Sequence, residues 1–179
     1  RDSFPGMRNG KSAYSPGLDG LRAVAVLSVV AYHAGAPIPA GYVGVDIFFV
    51  ISGYLITRLL CDELQRTGRI DFVDFYARRA RRILPGLAVV IVLTLGAGIP
   101  LLSREDVAET SKAAMAAFLF AANLFFAKSP TGYFDDGGST NPLLHLWSLG
   151  VEEQFYLAWP LVVVTARKRP ALAMLAIAM

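Results

Sequence analysis

The stretch ILPGLAVVIVLTLGAGIPLL, residues 83–102, holds twenty residues without one charge. A helix needs about 20 mostly apolar residues to cross a bilayer. Directly ahead of it stands Arg78-Arg79-Ala80-Arg81-Arg82. An uncharged run behind a dense basic cluster is the pattern of a membrane span anchored on its cytoplasmic side.

Further spans are expected on either side at residues 18–38, 43–60 and 143–165. The first is entered through Leu18-Asp19-Gly20-Leu21-Arg22, and the second is apolar but for Asp46 and Arg58. The last is interrupted by His145, Glu152 and Glu153. Residues 113–127 are apolar but short for a span, which suits an interfacial or partial helix. Residues 171–179 read as the start of another span, and the chain opens on Arg1. The expectation is a piece of a longer protein, or a true start at Met7.

Composition agrees. Of 179 residues, 55% are hydrophobic and 17% charged, and the mean hydropathy is +0.49. Soluble domains carry about 25% charged residues. One cysteine, Cys61, excludes a disulfide scaffold, and the apolar content excludes a disordered chain. A net charge of +3 is too small to imply nucleic acid. The expected fold class is all-α, a polytopic transmembrane helical bundle.

Charge asymmetry sets the expected topology. The connection 61–82 carries Arg66, Arg69 and the basic cluster, so it is expected to be cytoplasmic. The uncharged connection 34–44 is expected outside. The tail 1–17 and the Arg167-Lys168-Arg169 group are expected inside. These agree if 113–127 lies on the outer face without crossing. The chain is then a tail, 1–17, and a membrane domain, 18–179, in the cell membrane. A signal-peptide reading of the first apolar stretch, ending at Ala34-Gly35-Ala36, fails on Arg22, His33 and the spans that follow.

Ionisable groups inside a membrane cost about 2.5–3.5 kcal/mol on insertion scales and usually face a protein interior or a cavity. Arg22 and His33 are eleven residues apart. That spacing puts them on one helix face, about 16 Å apart along the axis. A guanidinium at the inner end suits phosphate groups, and an imidazole within the membrane suits proton transfer. Arg22 reads equally well as a headgroup anchor. His145, Ser148, Glu152, Tyr156 and Trp159 fall on one stripe of the last helix. The stripe is either a proton-handling face or a packing seam; Glu153 lies one step round it. The basic cluster with Arg78, Arg79 and Arg82 is either a topology signal or a dock for a polyanion. Asp46 either orients a partner or caps its helix. Phe118, Phe120, Phe125 and Phe126 read as lipid-facing bulk. No zinc-ligand spacing, Walker A motif or nucleophile elbow is present, and no metal is expected.

Four of these stretches together resemble one family. Leu18-Asp19-Gly20-Leu21-Arg22-Ala23, with His33 beyond it, is similar to the first helix of the acyltransferase 3 family of membrane-bound O-acyltransferases. GVDIFFVISGYLI at 44–56 resembles its second helix. RRARRILP at 78–85 resembles its cytoplasmic arginine motif, and WSLGVEEQFY at 147–156 its signature. The resemblance implies about ten helices, of which this chain would supply roughly the first half. It implies transfer of an acyl group, commonly acetyl, from cytoplasmic acyl-CoA as co-substrate to a hydroxyl of an extracytoplasmic carbohydrate. Such acceptors include lipopolysaccharide, peptidoglycan, exopolysaccharide and other glycosides. It places the family's histidine on His33 and its paired arginine on Arg22. The arginine motif falls on Arg78, Arg79 and Arg82, and the signature's polar residues on Ser148, Glu152 and Glu153. The joint expectation has His33, Glu152 and Ser148 at the chemistry, with Tyr156 assisting and the arginines on the CoA phosphates. The competing reading is a secondary transporter, which also uses intramembrane His, Glu and Arg.

Overall fold

The computed structural model describes residues 16–38, 40–128 and 141–168. These form six α-helices and two 3-10 turns, with no strand among them. The tail expected at 1–17 lies outside the described residues apart from Pro16 and Gly17, and the span expected from 171 lies wholly outside them. The chain divides into two units, Arg1–Arg69 and Ile70–Met179.

The first unit holds α1 (Pro16–His33), a 3-10 turn (Gly41–Val43) and α2 (Gly44–Thr67). Helices α1 and α2 pack closely because two glycines present no side chain at the crossing. A Cβ at Gly44 would stand 2.3 Å from the Ala25 carbonyl oxygen, and one at Gly41 would stand 2.6 Å from the Tyr32 Cβ. Helix α2 runs unbroken through Ser52-Gly53 and continues beyond residue 60. It ends where Gly68 turns left-handed (φ 75°) and donates its N–H to the Leu64 carbonyl at 3.0 Å. Glycine accepts that conformation without the Cβ clash other residues suffer.

The second unit begins with α3 (Phe72–Leu101), thirty residues long. At 1.5 Å per residue that is about 45 Å, well beyond the roughly 30 Å hydrocarbon layer. The arginine cluster, expected in a connection running to residue 82, instead lies inside this helix. Only residues 68–71 separate α2 from α3. The reason is local. The Asp71 carboxylate accepts from the Asp74 N–H at 3.0 Å, and this cap starts the helix a full three turns before the uncharged run.

Residues 113–127, expected as one partial helix, belong to two. Helix α4 (Arg104–Phe118) starts at Ser103, whose Oγ accepts from the Asp106 N–H at 3.1 Å. It closes with Phe120 in the left-handed region (φ 54°). There the Ala121 N–H donates to the Ala116 carbonyl at 2.8 Å and the Phe120 N–H to that of Ala117 at 3.0 Å. This is the glycine-type helix stop with a phenylalanine in the strained position. The short α5 (Ala122–Ala127) follows. A 3-10 turn (Leu144–Leu146) then leads into α6 (Trp147–Lys168), which carries Pro160 in its interior.

Leu87, Ala113, Ala114, Ala117, Ala122, Phe126, Leu143 and Leu146 form the buried core of the second unit. Phe126, expected to face lipid, is therefore part of that core, while Phe118 is exposed. Alanines on α4 let its neighbours approach closely. Two of the described helical stretches, Gly41–Thr67 and Phe72–Leu101, are long and apolar enough to cross a membrane. In the most apolar window of the second, only 11% of residues are buried. The core helix of a soluble protein would bury most of that surface, so this one calls for lipid or partner helices around it. Helices α1 and α6, also expected to span, are eighteen and twenty-two residues long.

Candidate functional site

In the first unit, Arg22 and His33 both stand on α1. Arg22 is half-buried, and its guanidinium lies over the Phe48 ring of α2, 5.0 Å from the centroid. His33 is the last residue of α1 and is exposed. Its Nδ1 sits 2.8 Å from the Val29 carbonyl oxygen. A carbonyl carries no proton, so Nδ1–H donates, and in the neutral ring Nε2 keeps the lone pair. The hydrogen bond that sets this tautomer is made by the α1 backbone. Asp46 is exposed in the first turn of α2, where a negative charge meets the positive end of the helix dipole. No side chain caps that helix at its Val43 N-cap.

The second unit divides the arginine cluster. Arg78 pairs with Asp74 one turn earlier on the same exposed helix face. Arg79 points inward and donates from Nη2 to Glu153 Oε1 of α6 at 2.7 Å. Both side chains are mostly buried, at 18% and 11% exposure. The Arg79 guanidinium carbon also lies over the Tyr156 ring, 3.4 Å from its centroid. Its Nε is buried with no hydrogen-bond partner. A stacked, ion-paired guanidinium tolerates this because its charge is answered by a carboxylate and a ring face at once. Arg81 and Arg82 are exposed, with no acidic partner among the described residues.

The expected stripe on the last helix holds in part. Ser148, Glu152, Tyr156 and Trp159 share α6, but His145 sits in the 3-10 turn before it. Ser148 Oγ donates to the His145 carbonyl at 3.0 Å. The Tyr156 hydroxyl donates to Glu152 Oε1 at 2.7 Å, and Tyr156 is only 4% exposed. The neighbouring carboxylates are thus engaged differently: Glu153 by a guanidinium, Glu152 by a phenol.

Three side chains here escaped the sequence reading. The Tyr76 hydroxyl donates to the Leu157 carbonyl at 2.9 Å, tying α3 to α6. Gln154 and Asn123 exchange amide hydrogen bonds at 2.9 and 3.0 Å. Gln154 Nε2 also donates to the Phe120 carbonyl at 2.9 Å, so α6 holds the strained helix stop in place. The signal for Gln154 was its place beside the paired glutamates; nothing local flags Asn123. Tyr76, Arg79, Phe120, Glu153, Gln154 and Tyr156 line a cavity of about 300 Å³ whose other walls are apolar. Such a cavity has room for a small or narrow group near one neutralised ion pair and several hydrogen-bonding atoms. Among the described residues no three His, Cys, Asp or Glu side chains gather as metal ligands.

Comparison with known proteins gives the class. The sequence pattern of the acyltransferase domain matches residues 15–179, and the chain belongs to the acyltransferase 3 family. The O-acetyltransferase OatA of Staphylococcus aureus is 43% identical over 151 residues, covering 84% of this chain and 25% of that protein. A Bacillus subtilis protein provisionally named peptidoglycan O-acetyltransferase YrhL is 45% identical over 152 residues, covering 84% of this chain and 24% of that protein. The chain thus spans about a quarter of the length of the curated relatives it matches. No solved structure matches. Apolar helices and this family are together consistent with a membrane protein.

Proposed function

We propose that the chain is part of a multi-pass membrane O-acetyltransferase. It would move an acetyl group from cytoplasmic acetyl-CoA to a hydroxyl of an extracytoplasmic carbohydrate. Peptidoglycan is the acceptor that the name of the Bacillus subtilis relative suggests. The observation that carries the reading is the match of the whole described chain to the acyltransferase domain, with His33 held in one tautomer.

In this reading Nε2 of His33 takes the proton of the acceptor hydroxyl as its oxygen attacks the thioester carbonyl. The tetrahedral intermediate collapses, the carbon–sulfur bond breaks, and the imidazolium returns its proton to the leaving CoA thiolate. An acetyl-histidine formed by Nε2 attack and then resolved by the acceptor balances equally well. Arg22 and the exposed guanidiniums of α3 would meet the CoA phosphates. Glu152 supplies a carboxylate for proton handling, with Ser148 beside it on α6, and the N-terminus faces the cytoplasm.

The test is turnover. Membranes carrying the full-length protein receive acetyl-CoA labelled in the acetyl group, with and without isolated peptidoglycan. Label transfer and CoA release that depend on the acceptor support the reading. Solute movement without thioester consumption would mark a carrier instead and overturn it.

A further inference from the structure

Glu152 and Glu153 are sequence neighbours, yet one buried side chain touches the interactions of both. The Tyr156 ring carries the Arg79 guanidinium at 3.4 Å, and Arg79 is fixed from its other side by Glu153 at 2.7 Å. The Tyr156 hydroxyl reaches Glu152 Oε1 at 2.7 Å. Tyr156 and Glu152 are one helical turn apart, so they meet along the axis of α6, while Arg79 arrives from α3.

A carboxylate at the end of a three-torsion side chain samples many directions. A buried phenol that cannot rotate away removes most of that freedom, because the ring is clamped between helices by the guanidinium stack. With Oε1 engaged by the phenol, Oε2 is the oxygen left to act on a proton.

We infer that Tyr156 is a positioning residue for acetyl transfer, its clamped ring setting the hydroxyl that aims the Glu152 carboxylate. Glu153 and Arg79 belong to the clamp, and Arg79 leaves the phosphate-binding set. The inference rests on the acetyl-transfer reading above.

Tyr156→Phe tests it in the full-length protein in membranes, with acetyl-CoA and isolated peptidoglycan. Phenylalanine keeps the ring under Arg79 and removes only the hydroxyl. The expected result is a kcat at least tenfold lower with the KM for acetyl-CoA within twofold of wild type. Glu152→Gln should lower kcat likewise, and adding Tyr156→Phe to it should bring no further loss. Wild-type kcat in Tyr156→Phe, a loss carried in KM, or multiplying losses in the double variant would each overturn the inference alone. A wild-type protein that transfers no acetyl group overturns the functional reading as well. Should Tyr156→Phe fail to fold, Glu152→Asp withdraws the carboxylate from the hydroxyl with its charge kept. A kcat loss at unchanged KM supports the inference there, and wild-type kcat overturns it.

Discussion

At the scale of single residues, His33 has the simplest forecast. With Nδ1 bound to the Val29 carbonyl, the proton-accepting capacity of the ring rests on Nε2 alone. His33→Ala should lower acetyl transfer by at least about 100-fold, in the range expected for a lost general base. Membrane insertion, read by protease protection, should be unchanged. The Arg79–Glu153 pair makes a different forecast. Both groups are mostly buried, so Glu153→Ala strands a cation and should cost about 3 kcal/mol, read as a lower melting temperature in detergent. Arg79→Met with Glu153→Leu removes both charges and should recover most of that loss. Arg22 and His33 both sit on α1, so their spacing could be read from the sequence by arithmetic. The sequence hid the pairing of Arg79 with Glu153, which are 74 residues apart and meet only once α3 and α6 are placed. Four consecutive-looking arginines gave no hint that one faces inward.

At the scale of elements, hydropathy found the apolar layer and missed the helix ends. The caps were written in the sequence: Asp71 three residues before Asp74, and Ser103 three before Asp106. The cap at Asp71 alone starts the helix ahead of the arginines and so puts them on α3. The stop at Phe120 had no such warning, since neither glycine nor proline marks it and the Gln154 and Asn123 amides that hold it come from α6 and α5. The α1–α2 crossing depends on Gly44, where an added Cβ meets backbone that cannot swing aside. Gly44→Ala should therefore destabilise the first unit by about 1–3 kcal/mol, a typical overpacking cost. Limited proteolysis of α1 checks this by a faster rate of cutting.

At the scale of the whole molecule, the expected topology can be read out with cysteine labelling. In a Cys61→Ser background, Gln65→Cys, exposed near the end of α2, should react with a membrane-impermeant maleimide only after the cytoplasmic face is opened. Ala36→Cys should react in intact cells. The all-helical character and the two long apolar helices were legible from composition and run length, because lipid solvation acts on every residue of a span alike. The cavity beside Arg79 was not, because its walls come from α3, the α4 stop and α6 together. The uneven use of the α3 arginines carries one more consequence. Asp74 and Glu153 already answer Arg78 and Arg79, so a polyanion docking on this helix meets two uncommitted guanidiniums, Arg81 and Arg82. The share of acetyl-CoA affinity that this helix supplies should then weaken with ionic strength as two exposed contacts would, not four, since only those charges exchange mobile counterions with the medium.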